Sequence, residues 1–176
     1  MANVMVDIET LGVRPGSVVL SIGAVVFDPK SGELGAEFYQ NIDAASCDSL
    51  GLTRDPSTIE WWRNQPVAAR DALKVDKVPL PEALTRFDTW WIKNNGVELW
   101  ANGASFDPVL LNACYHAAGM EPVWEFRDFR CARTILALGN RRPMPAARDT
   151  AHHALHDAKA QAVAVAACLR AGIIKR

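Results

Sequence analysis

Apolar residues follow two different periods along this chain, and the change from one to the other predicts its architecture. Over the amino-terminal part, runs rich in Val, Ile, Leu and Phe predict strands at 3–9, 17–27 and 36–42. The turn residues of DPKSGE at 28–33 separate the second strand from the third, as in a β-hairpin. The amino-terminal part is therefore predicted to form an antiparallel sheet.

From residue 55 onward, the apolar positions recur with helical spacing. Asp55 and Pro56 are typical of an N-cap and a first helical position, and Gly119 is typical of a helix end. Helices are predicted at 55–62, 79–95, 106–120, 127–139 and 153–171, a short strand at 97–101, and a loop at 139–150. This order predicts one α/β domain over residues 1–176. Its mixed five-stranded sheet has antiparallel strands first and parallel strands afterwards, and helices flank it.

Composition restricts the classes of function. With 19 Lys and Arg against 20 Asp and Glu, the net charge is −1, so any contact with nucleic acid must be local. The four scattered cysteines disfavour a zinc site or a disulfide framework and favour a reducing compartment. No apolar run approaches the ~20 residues that cross a bilayer, and no secretory leader is evident. We therefore expect a cytoplasmic protein without membrane spans.

Two acids interrupt the first predicted strand, VMVDIET at 4–10. Side chains alternate along a strand, so Asp7 and Glu9 point to the same face. Two neighbouring carboxylates repel each other and raise each other's pKa, and burial in an apolar strand adds a further cost. The pair therefore indicates either a solvated edge strand or a bound cation.

Two further acids occur where a strand leads into a helix and where the last helix begins. Asp107 follows WANGASF, and Asp157 lies in HHALHDA. Each has an ordinary alternative role. Asp107 before Pro108 is a good N-cap, and Asp157 would interact favourably with the helix dipole. Taken singly, neither acid identifies a function.

Together these motifs are far more specific. DIET on the first strand, SFD at the strand-to-helix junction and a His five positions before Asp157 resemble the DEDD exonuclease superfamily, in its histidine (DEDDh) subclass. That superfamily has the ribonuclease-H-like fold and includes ribonuclease T, oligoribonuclease and polymerase proofreading subunits. DIETLG, GASFD, FRDFRCART and HHALHDA are most similar to small phage and bacterial 3′–5′ exoribonucleases.

The resemblance implies a site for two Mg²⁺ or Mn²⁺ ions, which in such nucleases lie ~3.5–4 Å apart. Hard cations prefer oxygen ligands, in agreement with a set of four carboxylates. Asp7 is implied to bridge both ions. Glu9 and Asp157 are implied to hold the ion beside the attacking water. Asp107 is implied to support the second ion through water.

The general base implied by the resemblance is His152, with a contribution of roughly 10²–10⁴ to the rate. Helix geometry favours a different residue. Five helical residues turn through about 500°, whereas His153 lies at i+4 from Asp157. The conflict disappears if His152 precedes the regular helix. We therefore expect His152 as the base, keep His153 as the alternative, and expect His156 at the surface or beside the site.

The resemblance also implies contacts with the terminal nucleotide. The Thr10 backbone would meet the 3′ end and Leu11 would press against the last base; a strand end turning at Gly12 is the alternative. Phe106 keeps its place in the second motif and is expected to contact the substrate. Gly103 stands where the family commonly has Asn, which removes any contact that the Asn would make.

Basic and aromatic residues supply further candidates. Arg127 and Arg130 recur with Arg133 at intervals of three, so on one helix face they would follow a phosphate backbone; solvated surface or a subunit contact is the alternative. One of Trp61 and Trp62 would stack on a base, or else both serve packing or a dimer contact.

We therefore predict a metal-dependent 3′–5′ exonuclease that releases nucleoside 5′-monophosphates from single-stranded 3′ ends or overhangs. The resemblance alone favours RNA over DNA. A 3′–5′ exodeoxyribonuclease or a proofreading partner of a polymerase would share every catalytic residue. A catalytically silent nucleic-acid-binding module would typically have lost one of the acids, and this chain retains all four. The resemblance also implies a homodimer.

Overall fold

The computed structural model describes residues 2–139 and 152–172, and a mixed sheet lies at its centre. The strands are β1 (Ala2–Thr10), β2 (Val19–Phe27), β3 (Leu34–Ile42), β4 (Lys77–Val78), β5 (Gly96–Ala101) and β6 (Phe129–Cys131). Their order across the sheet is β4-β3-β2-β1-β5-β6. The first three strands pair antiparallel, and the β1–β5, β5–β6 and β3–β4 pairs are parallel. The predicted α/β class and the order of antiparallel before parallel strands are confirmed.

Helices flank this sheet in the described part of the chain. They are α1 (Ala44–Ser49), α2 (Pro56–Arg63), α3 (Val67–Ala72), α4 (Leu80–Lys93), α5 (Asp107–Ala117), α6 (Ala132–Leu138) and α7 (Ala154–Arg170). As predicted, Asp55 caps α2 by accepting from Ser57 N at 2.8 Å, and Gly119 adopts a left-handed φ of 68° after α5. None of the helices within residues 2–139 and 152–172 combines the length and apolar character needed to cross a membrane.

Two details of the predicted secondary structure are wrong. Within the part of the chain that the structure describes, the sheet has six strands instead of five, and the stretch 127–139 is not one helix. There the chain forms a 3₁₀ turn (Phe126–Asp128), then β6, then α6. Parallel pairing of β6 with the open edge of β5 stabilises an extended segment that the local helical period does not predict. Apart from Gly139, the predicted loop at 139–150 lies outside the described residues.

β1 is the central strand, and it runs further than its parallel neighbour. Its register with β2 places Asp7 opposite Gly23 and Glu9 opposite Ser21. Its pairing with β5 covers only residues 2–5, so the rest of this edge faces the turn that leads from β5 into α5. The carboxyl end of β1 is therefore open to side chains from that turn.

Each face of the sheet has its own hydrophobic core. On the alanine face, residues of α7 pack against Met5 and Val25; these residues are Ala158, Ala162 and Val165. On the aromatic face, large rings pack against Val4 and Val6; the rings are Phe87, Trp91, Tyr115 and Trp124. The alanine face also contains Phe27 and Trp100, but the side chains that α7 contributes to its core are small.

Candidate active site

Asp7 and Glu9 project from β1 onto the alanine face, on the side that the alternation of strand side chains predicts. Gln161 of α7 donates a hydrogen bond from Nε2 to Asp7 Oδ1 at 2.7 Å. Glu9 is only 8% exposed, and this burial, followed by the charge of Asp157 from α7, raises its pKa. Because β1 is the central strand, the solvated-edge interpretation of this pair is wrong.

Asp107 is the first residue of α5, and its carboxylate is turned back toward β1. Phe106 occupies the N-cap position, so the N-cap interpretation of Asp107 is wrong. Asp107 Oδ1 accepts a hydrogen bond from Ile8 N at 3.3 Å, on the edge of β1 that β5 leaves open. This contact brings a third carboxylate beside Asp7 and Glu9. Burial raises the pKa of both, and the charge of Asp107 adds to the rise.

Asp157 completes the cluster from the first turn of α7. The preceding His152 has a left-handed φ of 65°, and its backbone N donates to Asp157 Oδ2 at 3.2 Å. His152 therefore precedes the regular helix, and the conflict over its spacing from Asp157 disappears. Ligand atoms of Glu9, His152 and Asp157 all lie within 4.8 Å of one another.

Gly23 of β2 determines how closely α7 approaches the sheet. A Cβ built on Gly23 would lie 2.1 Å from Leu155 N and 2.2 Å from Ala154 C. No larger residue fits at that distance without a shift of the helix, so glycine permits contact between the two backbones. Because α7 lies this close, the short side chain of Asp157 reaches the acids of β1.

Burial raises the pKa values of all four carboxyl groups, and the charges of neighbouring acids raise those of Asp7 and Glu9 further. Removal from water, followed by the charges of Asp157 and Asp107, raises the pKa of Glu9 to about 8. Burial raises the pKa of Asp107 to about 6, raises that of Asp7 together with the neighbouring acids, and also raises that of Asp157. Such a cluster is unfavourable when fully ionised and alone, and a divalent cation would compensate its charge.

The donor set fits a divalent cation of the hard class. Carboxylate oxygens from β1, α5 and α7 converge on one side of the sheet, and one histidine nitrogen lies among them. Mg²⁺ and Mn²⁺ prefer such oxygen-rich surroundings. The structure therefore brings together the five residues expected from the sequence as metal ligands and base; these are Asp7, Glu9, Asp107, His152 and Asp157.

The histidines near Asp157 have different surroundings. The His152 ring stands edge-on to Trp61, with centroids 4.8 Å apart. His153 instead stacks between Tyr39 at 4.2 Å and His156 at 4.1 Å, and burial lowers its pKa. Of the two candidates for the base, only His152 has a ring nitrogen in the group with the carboxylates of Glu9 and Asp157.

A pocket of about 420 Å³ opens beside this cluster. Trp61 is 43% exposed and lines it, whereas Trp62 is 6% exposed and donates from Nε1 to Thr10 O at 2.8 Å. Trp61 is therefore the tryptophan available for stacking on a base, and Trp62 holds α2 against the end of β1. The pocket is lined by Ile8, Glu9, Thr10, Val13, Ser57, Thr58, Trp61, Trp62 and Phe106.

Two of the predicted substrate contacts, Thr10 and Phe106, line this pocket. Leu11 is 9% exposed and packs in the core of the aromatic face. Val13, two residues further on, is 61% exposed and lines the pocket. The aliphatic side chain presented to the pocket by this turn is thus Val13 and not Leu11.

The predicted row of arginines on one helix face is wrong. Arg127 lies in the 3₁₀ turn and forms an ion pair with Glu125, with Nε 3.0 Å from Oε2. Arg130 lies in β6 and donates to Glu98 Oε1 at 2.9 Å. Both predicted phosphate ligands are therefore engaged with carboxylates, and they belong to different elements.

Two residues that position the acids, Gly23 and Gln161, are not among the residues predicted from the sequence. A glycine inside an apolar strand indicates a close backbone approach, so VLSIGAVVF did contain a signal for Gly23. Gln161, a polar residue among alanines on the buried side of α7, was a weaker signal. Neither signal indicates which residue is contacted, because the contacts of Gly23 with α7 and of Gln161 with Asp7 join segments that are distant along the chain.

Two comparisons with known proteins bear on the activity. The family model described as 3′–5′ exoribonuclease Rv2179c-like domain matches residues 2–169. An exodeoxyribonuclease of Enterobacteria phage T4 is 27% identical over 135 residues, which cover 64% of this chain and 55% of that protein. The chain thus spans about half the length of the curated relative that it matches.

Proposed function

This chain belongs to the Rv2179c-like family of 3′–5′ exoribonuclease domains, and on that premise we propose that it removes nucleotides one at a time from single-stranded 3′ ends, with divalent cations and with RNA favoured over DNA. We assign it to the DEDDh subclass. The observation that carries the proposal is the convergence of four carboxylates and His152 beside an open pocket.

In this proposal Asp7, Glu9, Asp107 and Asp157 hold two Mg²⁺ or Mn²⁺ ions. Ions of this kind, when bound, activate a water molecule and stabilise the leaving oxygen of a phosphodiester. The raised pKa values support this role, because acids that repel one another when ionised gain most from a shared cation. Gln161 keeps the Asp7 carboxylate oriented through its hydrogen bond.

His152 is the proposed general base. Its position outside the regular helix lets the ring approach the carboxylates, and Trp61 limits its movement from the side. The imidazole takes a proton from the attacking water, a role that histidine side chains commonly serve in enzymes. The stacked and partly buried His153 is poorly placed for the same task.

The pocket is the proposed site of the terminal nucleotide. The Trp61 ring offers a surface for the last base, a contact that is worth ~1–3 kcal/mol per base in single-strand binders. Phe106 and Val13 supply the apolar remainder of the wall, and Thr10 lies where β1 ends. A base held there lies next to Glu9, which joins the pocket to the acidic cluster.

The decisive experiment is a gel time course with matched single-stranded RNA and DNA, labelled at the 5′ end, in Mg²⁺, in Mn²⁺ and in EDTA. We expect a ladder that shortens by single nucleotides and stops in EDTA. The same strands labelled at the 3′ end should release labelled mononucleotide at once, since attack begins at that end. Internal cleavage, or an unchanged band with folded protein, would contradict the proposal.

The ratio of the RNA and DNA rates tests the finer part of the proposal. The phage relative is an exodeoxyribonuclease, so a 3′–5′ exodeoxyribonuclease is the second candidate. Faster shortening of DNA would select it, and the same residues would keep their roles. A silent binding module would bind the strands without shortening them, and Mn²⁺ would not raise its melting temperature.

We also propose one domain over the whole chain, a homodimer and a reducing, cytoplasmic setting. Exposed apolar side chains such as Ile92, Phe126 and Leu138 leave surface for a subunit contact. Light scattering coupled to size-exclusion chromatography would report the mass directly. A mass of 19.3 kDa at micromolar concentration would rule out a stable dimer.

A further inference from the structure

Arg133 lies at the edge of the sheet where the acidic cluster forms. It is the second residue of α6, and the preceding strand β6 runs parallel to β5 with Cys131 opposite Ala101. Parallel strands end at the same edge, so the start of α6 and the β5–α5 turn, which leads to Asp107, are neighbours. Arg127 precedes β6 and therefore lies toward the opposite end of the same pair of strands.

The Arg133 side chain extends over the β5–α5 turn. Its Nη2 donates to Asn102 O at 2.9 Å. A Cβ built on Gly103 would lie 3.4 Å from both Cζ and Nη2 of Arg133, and Gly103 has a φ of 126°. The guanidinium thus packs against the bare backbone of the residue at which the family commonly has Asn.

The charge of Arg133 acts on the acidic cluster. Burial raises the pKa of Asp107, and the positive charge of Arg133 is among the effects that oppose this rise. Within residues 2–139 and 152–172, Arg133 forms no ion pair, whereas Arg127 and Arg130 pair with Glu125 and Glu98. The backbone contact at Asn102 uses one of five N–H donors, so the exposed guanidinium retains donors for a ligand.

We propose that Arg133 binds a phosphate of the substrate strand at the rim of the acidic cluster, with its guanidinium lying beside the backbone of Gly103. This inference rests on the proposed function. A polyanionic strand that approaches four carboxylates is repelled until cations balance the charge, and a planar guanidinium contacts two phosphate oxygens at once. Of the three arginines that the sequence predicts in one row, Arg133 is then the one that contacts the substrate.

The test measures binding apart from turnover. Arg133→Ala and Arg133→Lys are made in the wild-type chain and in the Asp7→Asn background, and the affinity for a labelled single-stranded RNA is measured by fluorescence anisotropy over a range of salt concentrations. Arg133→Ala should weaken binding about tenfold and raise KM more than it lowers kcat. It should also reduce the magnitude of the log–log salt slope by about 0.7, the share of one phosphate contact. Arg133→Lys should lie between the two, because it keeps the charge and loses the two-point contact.

Arg86→Ala serves as the charge-matched control. Arg86 pairs with Glu82 on α4, away from the cluster, so its loss should change the affinity less than twofold. Wild-type affinity and salt slope for Arg133→Ala would overturn the inference, while turnover by the wild type would leave the proposed function standing. An equal loss for Arg127→Ala would overturn it too, because it would restore an extended arginine row. A wild type that neither binds nor shortens RNA or DNA would remove both proposals.

Discussion

The two faces of the central sheet differ in what separates helix from strand. On the aromatic face, large rings fill the space between β1 and the helices α4 and α5. On the alanine face, α7 presents Ala158 and Ala162 to the strands and contacts Gly23 with its backbone. Large side chains bury more apolar area, whereas small ones let a helix lie closer to a strand. Only where helix and strand lie close together can short carboxylates from both meet.

This difference predicts that the aromatic face contributes mainly to stability and the alanine face mainly to activity. Burial of the rings on the aromatic face should contribute more to the free energy of unfolding than burial of alanines does. The alanine face carries acids whose pKa values are raised by burial and by the charges of their neighbours. Substitutions on the two faces should therefore separate stability from activity.

The largest expected effect is that of Asp7→Asn, which removes a charge from the cluster. Turnover should fall about 10³-fold or more, because cation binding supplies several kcal/mol to this chemistry. The melting temperature without metal should stay the same or rise, since one source of repulsion disappears. Asp88→Asn is the matched control: Asp88 accepts a hydrogen bond from Tyr115 on the aromatic face, and Asn keeps an acceptor there. Equal loss of turnover in Asp7→Asn and Asp88→Asn would contradict the assignment of activity to the alanine face.

His152→Ala should reduce kcat by about 10²-fold or more, in the range of a lost general base. His153→Ala should reduce it far less, because that ring stacks on Tyr39 and His156. Single-turnover rates from pH 6 to 8 are the measurement, with melting temperatures to exclude unfolding. If His153→Ala costs more than His152→Ala, the base is His153.

Gly23→Ala should separate the strand acids from α7 without removing any of them. The added Cβ would lie 2.1 Å from Leu155 N, so the helix must move; we expect a loss of about 1–3 kcal/mol in stability and about tenfold or more in turnover. Gly35→Ala in β3 is the control, because its Cβ would meet Val26 at an ordinary 3.4 Å. Denaturant unfolding and turnover per folded molecule would be measured together. Wild-type turnover in Gly23→Ala would show that activity does not require the close approach of α7 to β2.

The smallest expected effect is a pH dependence of the stability of the metal-free protein. The pKa of Glu9 is raised from 4.5 to about 8, so between these values the unfolded chain releases a proton that the folded chain retains. Stability therefore falls as pH rises through this window, and the raised pKa values of Asp7, Asp107 and Asp157 act in the same direction. The lowered pKa of His153 acts oppositely, below its unperturbed 6.5.

Melting temperatures in EDTA and in Mn²⁺ between pH 5 and 8.5 would test this dependence. We expect a decline of a few degrees in EDTA and a smaller one in Mn²⁺, since cations stabilise the ionised cluster. Glu9→Gln should flatten the profile in EDTA. A melting temperature that rises with pH in EDTA would show that folding does not raise the pKa values of these acids.

The sequence predicts those parts of the molecule whose signals are local. Alternation in VMVDIET places Asp7 and Glu9 on one face, and the run of alanines predicts α7 within a residue or two at each end. β6 was missed because it is extended only through its pairing with β5, which is distant along the chain. The burial of Leu11 and the exposure of Val13 likewise depend on the segments that pack around the end of β1.

The hydrogen bond from Ile8 N to Asp107 gives the central strand a built-in spectroscopic probe. Most amides of a central strand donate to neutral carbonyls, whereas this one donates to a titrating carboxylate. Its proton resonance should therefore move when Asp107 loses a proton or turns toward a cation. Nuclear magnetic resonance of this single amide would follow occupancy of the cluster in the resting protein, with no substrate present.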